Sequence, residues 1–365
     1  MLIYILYYML IGFSAFSLVN TKPKKQLNDK RQIRKRNLWC LILFLGLFLI
    51  MALRHPSMGV DLQYGSSQGY LGRFQFIAKQ SWSYLWTHDI VAYEKGYVFF
   101  NKLIGFISNG EQWYLTVCAF ISLLPIFIIY NKYSDNLPHS IIIYLALTCY
   151  SAVFSAMRQA IAIGICFISF IFIKNKKIIP FILLVLLAFT FHSSAIVFLI
   201  AYLVYWIRIP KNLRIGTLVL IGIVFLFRAP LFDFFARFIK ENATMDNNGA
   251  LTLFLALVLV YTFSFIFGED DKETSGLLNI FFIAIICQLF GNVHSYAARL
   301  GYYFMPFVGL LIPKVCKTMK FEPRTKSVVA IVITTAFIAF GLFTLYSGEY
   351  SWTRSYPWIP FWQNI

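Results

Sequence analysis

The chain alternates long apolar runs with short, mostly basic polar connections. Runs of about 15–20 apolar residues have the length of membrane-crossing helices. The pattern predicts twelve, over 2–20, 38–53, 111–130, 139–156, 158–173, 178–191, 193–207, 215–228, 250–267, 277–291, 299–313 and 327–346. Polar and apolar residues do not alternate within the runs as the strands of a membrane barrel require. The expected class is therefore all-α: one polytopic integral membrane domain over 1–365, with a long outer-face loop over 54–110.

Composition sharpens this picture. Of 365 residues, 59% are hydrophobic and 13% charged, and the mean hydropathy is +0.71, which excludes an ordinary soluble domain. The net charge of +17 would suit nucleic acid, but the basic residues sit in short loops between apolar runs. There they set orientation in the membrane, and no nucleic-acid partner is expected. The six cysteines lie mostly inside apolar runs without metal-ligand spacing, so they read as small core residues. A phosphate-binding G-x-x-x-x-G-K-[ST] loop is missing, so nothing points to ATP. The first run is followed by a basic segment rather than a small-residue cleavage site and reads as a span. No internal repeat supports an inverted-repeat transporter.

Charge orients the spans. Segment 21–37 carries eight Lys/Arg and one Asp, a cytoplasmic signature. It places 174–177, 208–214 and 314–326 inside too, with the acidic loop 268–276. Both termini and the loop 54–110 then face out. That loop is rich in aromatic residues, and its apolar stretch 97–107 is too short to cross, so it predicts an interfacial or re-entrant helix. An amphipathic piece over 231–242 and the aromatic tail 347–365 are expected at the outer membrane surface.

The candidate chemistry gathers on that outer side. Arg158 and Gln159 head one arm of a hairpin, Lys174–Lys177 form its basic turn, and His192 ends the return arm. Two crossings bring Arg158 and His192 to one side. Fifteen helical residues rise only about 22 Å against a hydrocarbon core of about 30 Å, so both would sit below the surface. Arginine at a helix end often only snorkels to headgroups. At a helix N-terminus, however, it adds a planar fork to free N–H groups and suits phosphate. His192 could take a proton or donate to phosphate. Asp61 and Glu94, each flanked by aromatic and apolar residues, could serve as bases or as structural ion-pair partners of Arg54, Arg73 or Arg158. Arg54 and Arg299 also stand at outer span ends, and three arginines on one side could clamp a pyrophosphate.

These residues carry a resemblance. Arg54 with Gly59-Val60-Asp61 and Tyr64, Glu94-Lys95-Gly96-Tyr97 with Asn101, Met157-Arg158-Gln159, Phe191-His192-Ser193-Ser194-Ala195, and Arg299 with Gly301-Tyr302-Tyr303-Phe304 occur in this order from 54 to 304. In this the chain resembles the EpsG family of bacterial polysaccharide proteins, which includes Wzy-type repeat-unit polymerases. Val60 and Lys95 depart from the usual threonine and proline, which bears on loop detail only.

The resemblance implies a metal-independent glycosyltransferase of GT-C-like architecture, without cofactor, in the bacterial cytoplasmic membrane. It would transfer a glycan from undecaprenyl pyrophosphate to a hydroxyl of another lipid-linked repeat unit at the outer face, building O-antigen, capsule or exopolysaccharide. Membrane lipids, the lipid-linked donor and acceptor, and export proteins such as a chain-length regulator are the implied partners. Arg158, Arg299 and Arg54 are expected on pyrophosphate, and Glu94, Asp61 and His192 in catalysis. Gln159, Tyr64, Asn101, His294 and Tyr302 are expected on the rest of the substrate. A flippase or transporter of lipid-linked oligosaccharides, and a glycan ligase, are the alternatives.

Overall fold

The computed structural model describes residues 1–18, 29–88, 93–236, 251–291, 295–346 and 353–363. It is helical, and the described residues form no β-sheet. The chain divides into two compact units, Met1–Ile196 with Ala336–Ile365, and Val197–Thr335.

The first unit holds α1 (Leu2–Ser17), α2 (Lys30–Ala52), α3 (Tyr70–Lys79), α4 (Trp82–Thr87), α5 (Lys95–Ile107), α6 (Glu111–Tyr133), α7 (Leu137–Ala146), α8 (Cys149–Ala152), α9 (Met157–Ile168), α10 (Phe170–Lys174) and α11 (Ile178–Phe189). The second holds α12 (Leu199–Trp206), α13 (Ile215–Leu226), α14 (Arg228–Ala236), α15 (Leu251–Phe267), α16 (Lys272–Gly291), α17 (Ser295–Gly301) and α18 (Val308–Thr318). The long α19 (Pro323–Tyr346) runs from the second unit into the first.

Among the described residues, five helical stretches are long and apolar enough to cross a membrane: α2, α6, α9 with α10, α16 and α19. Shorter apolar helices occupy most of the other predicted runs. Three runs expected as continuous spans are broken. The stretch 139–156 stops at Thr148, whose φ of 58° is left-handed. The stretch 193–207 opens with a 3-10 turn, Ser193–Phe198, before α12. The stretch 299–313 is interrupted by another, Met305–Phe307, where Pro306 cannot donate an i→i−4 hydrogen bond. Hydropathy registers that such a run is apolar, but not that its backbone changes direction. The stretch 97–107 does form a helix, inside α5. Of the surface helix expected over 231–242, residues 237–242 lie outside the described residues.

In the first unit α6 is central, packing on α2 and α9, while α11 returns along α9 and α3 pairs with α5. Its two ends are chemically distinct. At one, Arg36 of α2 donates to the Asn131 and Ser134 carbonyls at the end of α6, both at 3.0 Å. The Lys174 ammonium lies 5.9 Å from the Tyr133 ring centroid at the same end. This is the lysine-turn end of the hairpin. The other end gathers residues 53–64, the start of α5, the start of α9 and the end of α11. There the tail folds back on α2: Trp358 Nε1 donates to the Ile50 carbonyl at 2.7 Å and His55 N–H to the Ile359 carbonyl at 2.8 Å.

In the second unit α16 is central, in contact with α12, α15, α17 and α18. The loops 208–214 and 268–276 meet the end of α18. Lys314 pairs with Asp271 at 3.2 Å, and buried Arg214 donates to Asn279 Oδ1 at 3.2 Å and the Ser275 carbonyl at 3.1 Å.

Candidate active site

Two glycines shape the end of the first unit opposite the lysine turn. Gly59 has φ +112°, a conformation that side chains with a Cβ rarely adopt, and a Cβ there would stand 2.1 Å from the Phe154 carbonyl oxygen. Glycine thus lets the chain press against the segment before α9, where Val60 N–H donates to Ser155 Oγ at 2.8 Å. That contact fixes the short turn Val60–Leu62, which carries Asp61. Gly96 acts alike at the start of α5. A Cβ there would stand 2.2 Å from Thr190 Oγ1, and Tyr97 N–H donates to the Thr190 carbonyl at 3.1 Å.

This docking puts Glu94, at the N-cap position of α5, between the two ends of the hairpin. Its Oε2 lies 2.7 Å from Arg158 Nη1, at the head of α9. Its Oε1 accepts the Ser193 N–H at 2.8 Å, at the end of the return arm. One carboxylate thus ties together the residues that begin and end the hairpin. The neighbouring His192 is half-buried, with Nδ1 2.6 Å from Ser194 Oγ.

Tyrosines complete the surroundings of Arg158. Nε donates to the Tyr70 hydroxyl at 3.2 Å, and Cζ stands 4.4 Å from the Tyr93 ring centroid, a cation–π distance. Tyr70 and Tyr93 stack at 5.8 Å, and Tyr97 meets Tyr93 edge-on at 5.3 Å. A second arginine, Arg73 of α3, has Cζ 4.9 Å from the same Tyr93 ring. Burial pushes the Tyr70 hydroxyl up to about 12, against the pull of Arg158. Burial likewise raises Tyr93, against Arg73 and Arg158. Both phenols therefore stay protonated at neutral pH and can donate.

Asp61 is half-buried and close enough to Tyr70 and Tyr93 to raise both of them further. Among the described residues its side chain has no hydrogen bond and no ion-pair partner. The two carboxylates thus differ in kind: both oxygens of Glu94 are engaged, while those of Asp61 are available.

Arg54, Asn101, Gln159 and Tyr64, also expected at the site, belong to the first unit. Arg54 is fully buried, with its guanidinium 4.4 Å from the Phe154 ring centroid and Nη2 3.8 Å from Met157 Sδ. Among the described residues its Nε and Nη1 have no hydrogen-bond partner. It lies beneath the head of α9 rather than at an open surface. Asn101 is buried and donates to the Tyr97 carbonyl at 3.0 Å; Gln159 is buried as well. Tyr64 is exposed and packs edge-on against His55 at 5.1 Å. Arg299 and Tyr302 belong to the second unit, where Arg299 Cζ stands 5.8 Å from the Tyr296 ring and Tyr302 is buried. His294 lies outside the described residues. Among the described residues no three His, Cys, Asp or Glu side chains gather as metal ligands.

Sequence reasoning did not assign Arg73, Tyr70 or Tyr93 to the site. One signal was present: Tyr70 and Arg73 stand three residues apart on α3, the spacing that puts two side chains on one helix face.

An apolar, helical chain with five stretches long and apolar enough to cross a membrane is a membrane protein, and one end of its first unit gathers arginines, carboxylates and tyrosines. The chain belongs to the EpsG family, whose family model matches residues 37–361, nearly its whole length. EpsG is a Wzy-like polymerase family, which makes this a membrane protein of polysaccharide biosynthesis. No curated protein and no solved structure matches the chain.

Proposed function

We propose that the protein is a repeat-unit polymerase that transfers a glycan from undecaprenyl pyrophosphate to a hydroxyl of another lipid-linked unit, at the outer face of the cytoplasmic membrane. The observation that carries this reading is the setting of Arg158. It combines a helix N-terminus, a bridging carboxylate and a tyrosine-lined wall in one place.

The bond between the anomeric carbon and the phosphate oxygen breaks, and the acceptor oxygen forms the new glycosidic bond. Negative charge grows on the leaving pyrophosphate. Arg158 and the positive end of the α9 dipole stabilise it there. Glu94 holds the Arg158 fork in place. The acceptor hydroxyl loses its proton to a base. Asp61 suits that role better than Glu94, because a carboxylate with both oxygens engaged has less capacity to accept a proton. His192 stands at the same end and donates to phosphate or shares the proton. The exposed ring of Tyr64 offers a face for a sugar, and the membrane holds the polyprenyl chain. The energy resides in the phosphoester bond, so the scheme requires neither ATP nor a metal. The orientation rests on the basic loops at the opposite end.

The test is Arg158→Ala in cells that lack the native gene, with membrane insertion checked by immunoblot. Polymer should disappear and single-unit glycolipid accumulate. Chains of wild-type length would overturn the assignment.

A further inference from the structure

The Tyr93 ring carries two guanidinium groups, and only one of them has a carboxylate. Arg158 is paired with Glu94. Arg73 donates to Gln68 Oε1 at 3.3 Å, a neutral group, and otherwise lies over the Tyr93 ring. It has no ion pair among the described residues. With Cζ atoms 4.9 and 4.4 Å from one centroid, both guanidinium groups rest on the same tyrosine ring. The ring is held in a cluster with Tyr70 and Tyr97, which also touch each other, so packing fixes the ring on which both arginines rest.

We propose that Arg73 and Arg158 are two arms of one site that distinguishes a diphosphate from a monophosphate, with Tyr93 as the spacer that positions them. The inference rests on the polymerase reading and deepens it by naming a residue and a selectivity. A single phosphate can satisfy one fork. Two linked phosphates engage both, each through charge-assisted hydrogen bonds that arginine makes as a planar pair. The half-buried setting strengthens these bonds relative to bulk water. Arg73 gives up only one hydrogen bond to a neutral oxygen when it turns to an anion. Arg158 keeps Glu94, which limits its travel and makes Arg73 the adjustable arm. The selectivity has a use: a lipid monophosphate in the same membrane would then not occupy the donor site.

The experiment measures binding of undecaprenyl pyrophosphate and of undecaprenyl phosphate, each alone, to the full-length protein in nanodiscs. Wild type should prefer the diphosphate by tenfold or more, roughly the worth of one charged hydrogen-bonded pair. Arg73→Ala and Arg73→Gln should both lose that preference through weaker diphosphate binding, with monophosphate binding kept within about threefold. Tyr93→Leu should lose part of the preference while leaving both arginines in place. Melting temperatures check that each variant is folded, and the milder glutamine variant covers a failure of the alanine one. A folded Arg73 variant that keeps the wild-type preference overturns the role of Arg73 and leaves the polymerase reading intact. Wild-type protein that binds neither lipid overturns both.

Discussion

Arg158 and Glu94, 64 residues apart in sequence, meet through an Nη1–Oε2 contact of 2.7 Å, and the other oxygen of Glu94 holds the backbone beside His192. Under the proposed function this relationship gives Glu94 a positioning part and makes the two carboxylates separable by experiment. Glu94→Gln keeps an acceptor for the Ser193 N–H but loses the charge that steadies Arg158. It should weaken lipid-pyrophosphate binding. A double-mutant cycle with Arg158→Lys, read as binding energy, should show a coupling of about 1–3 kcal/mol. Additive effects would show that the pair does not work as a unit.

Asp61→Asn should behave in the opposite way. The side chain is nearly isosteric and breaks no ion pair, so lipid-pyrophosphate binding should remain within about twofold, while turnover falls by about 10²-fold or more, the scale of losing a general base. Single-turnover polymerisation in nanodiscs, measured beside binding, checks this. Asp61→Asn with normal turnover would move the base to another residue.

Gly59→Ala addresses the scaffold. The added methyl meets the Phe154 carbonyl oxygen at 2.1 Å and forces a backbone conformation that alanine disfavours. A stability loss of about 2 kcal/mol or more is expected. Thermal unfolding in detergent should show a clearly lower midpoint. Gly65, also at positive φ but with nothing within 4 Å of its added Cβ, should lose less on the same change.

The acidic loop of the second unit makes a pH prediction. Burial tends to raise Asp271, but the hydrogen bonds from Thr274 and the Lys314 ammonium outweigh it and hold the group below 3.8. A carboxyl with a depressed folded pKa contributes stability that is present above its unfolded pKa and is lost as pH falls through the folded value. Asp271→Asn should therefore lower the melting temperature at pH 7. The difference from wild type should narrow once the pH drops below about 3.8. An equal gap at pH 7 and pH 3 would show that the charge is not what stabilises the loop.

Trp358→Ala tests the tail. Trp358 donates to the Ile50 carbonyl, and the neighbouring Ile359 carbonyl accepts from His55 N–H. Removing the indole should lower the melting temperature and increase protease cleavage after residue 346. Unchanged melting and cleavage would show that the tail does not hold α2.

Much of this protein was legible in its sequence, and for a physical reason. Hydropathy is a local property, so apolar runs marked all five stretches long enough to cross a membrane and the shorter apolar helices between them. The order of crossings then brought Arg158 and His192 to the same end, opposite Lys174. The aromatic setting of Asp61 and Glu94 was legible too, because it is written in adjacent residues. The sequence by itself therefore determined an all-helical membrane protein and most of the residues at the end opposite the lysine turn. Only the tertiary structure decided how they pair. It bent three apolar runs at Thr148, Ser193 and Pro306, sealed Arg54 beneath Met157 and Phe154, and chose Glu94 over Asp61 for Arg158. It also brought Arg73 onto the Tyr93 ring. The pairing of Glu94 and the place of Arg73 depend on how the segment 54–110 folds over the hairpin. Two glycine contacts and a stack of tyrosines set that fold, and the charge and hydropathy along the chain do not encode it.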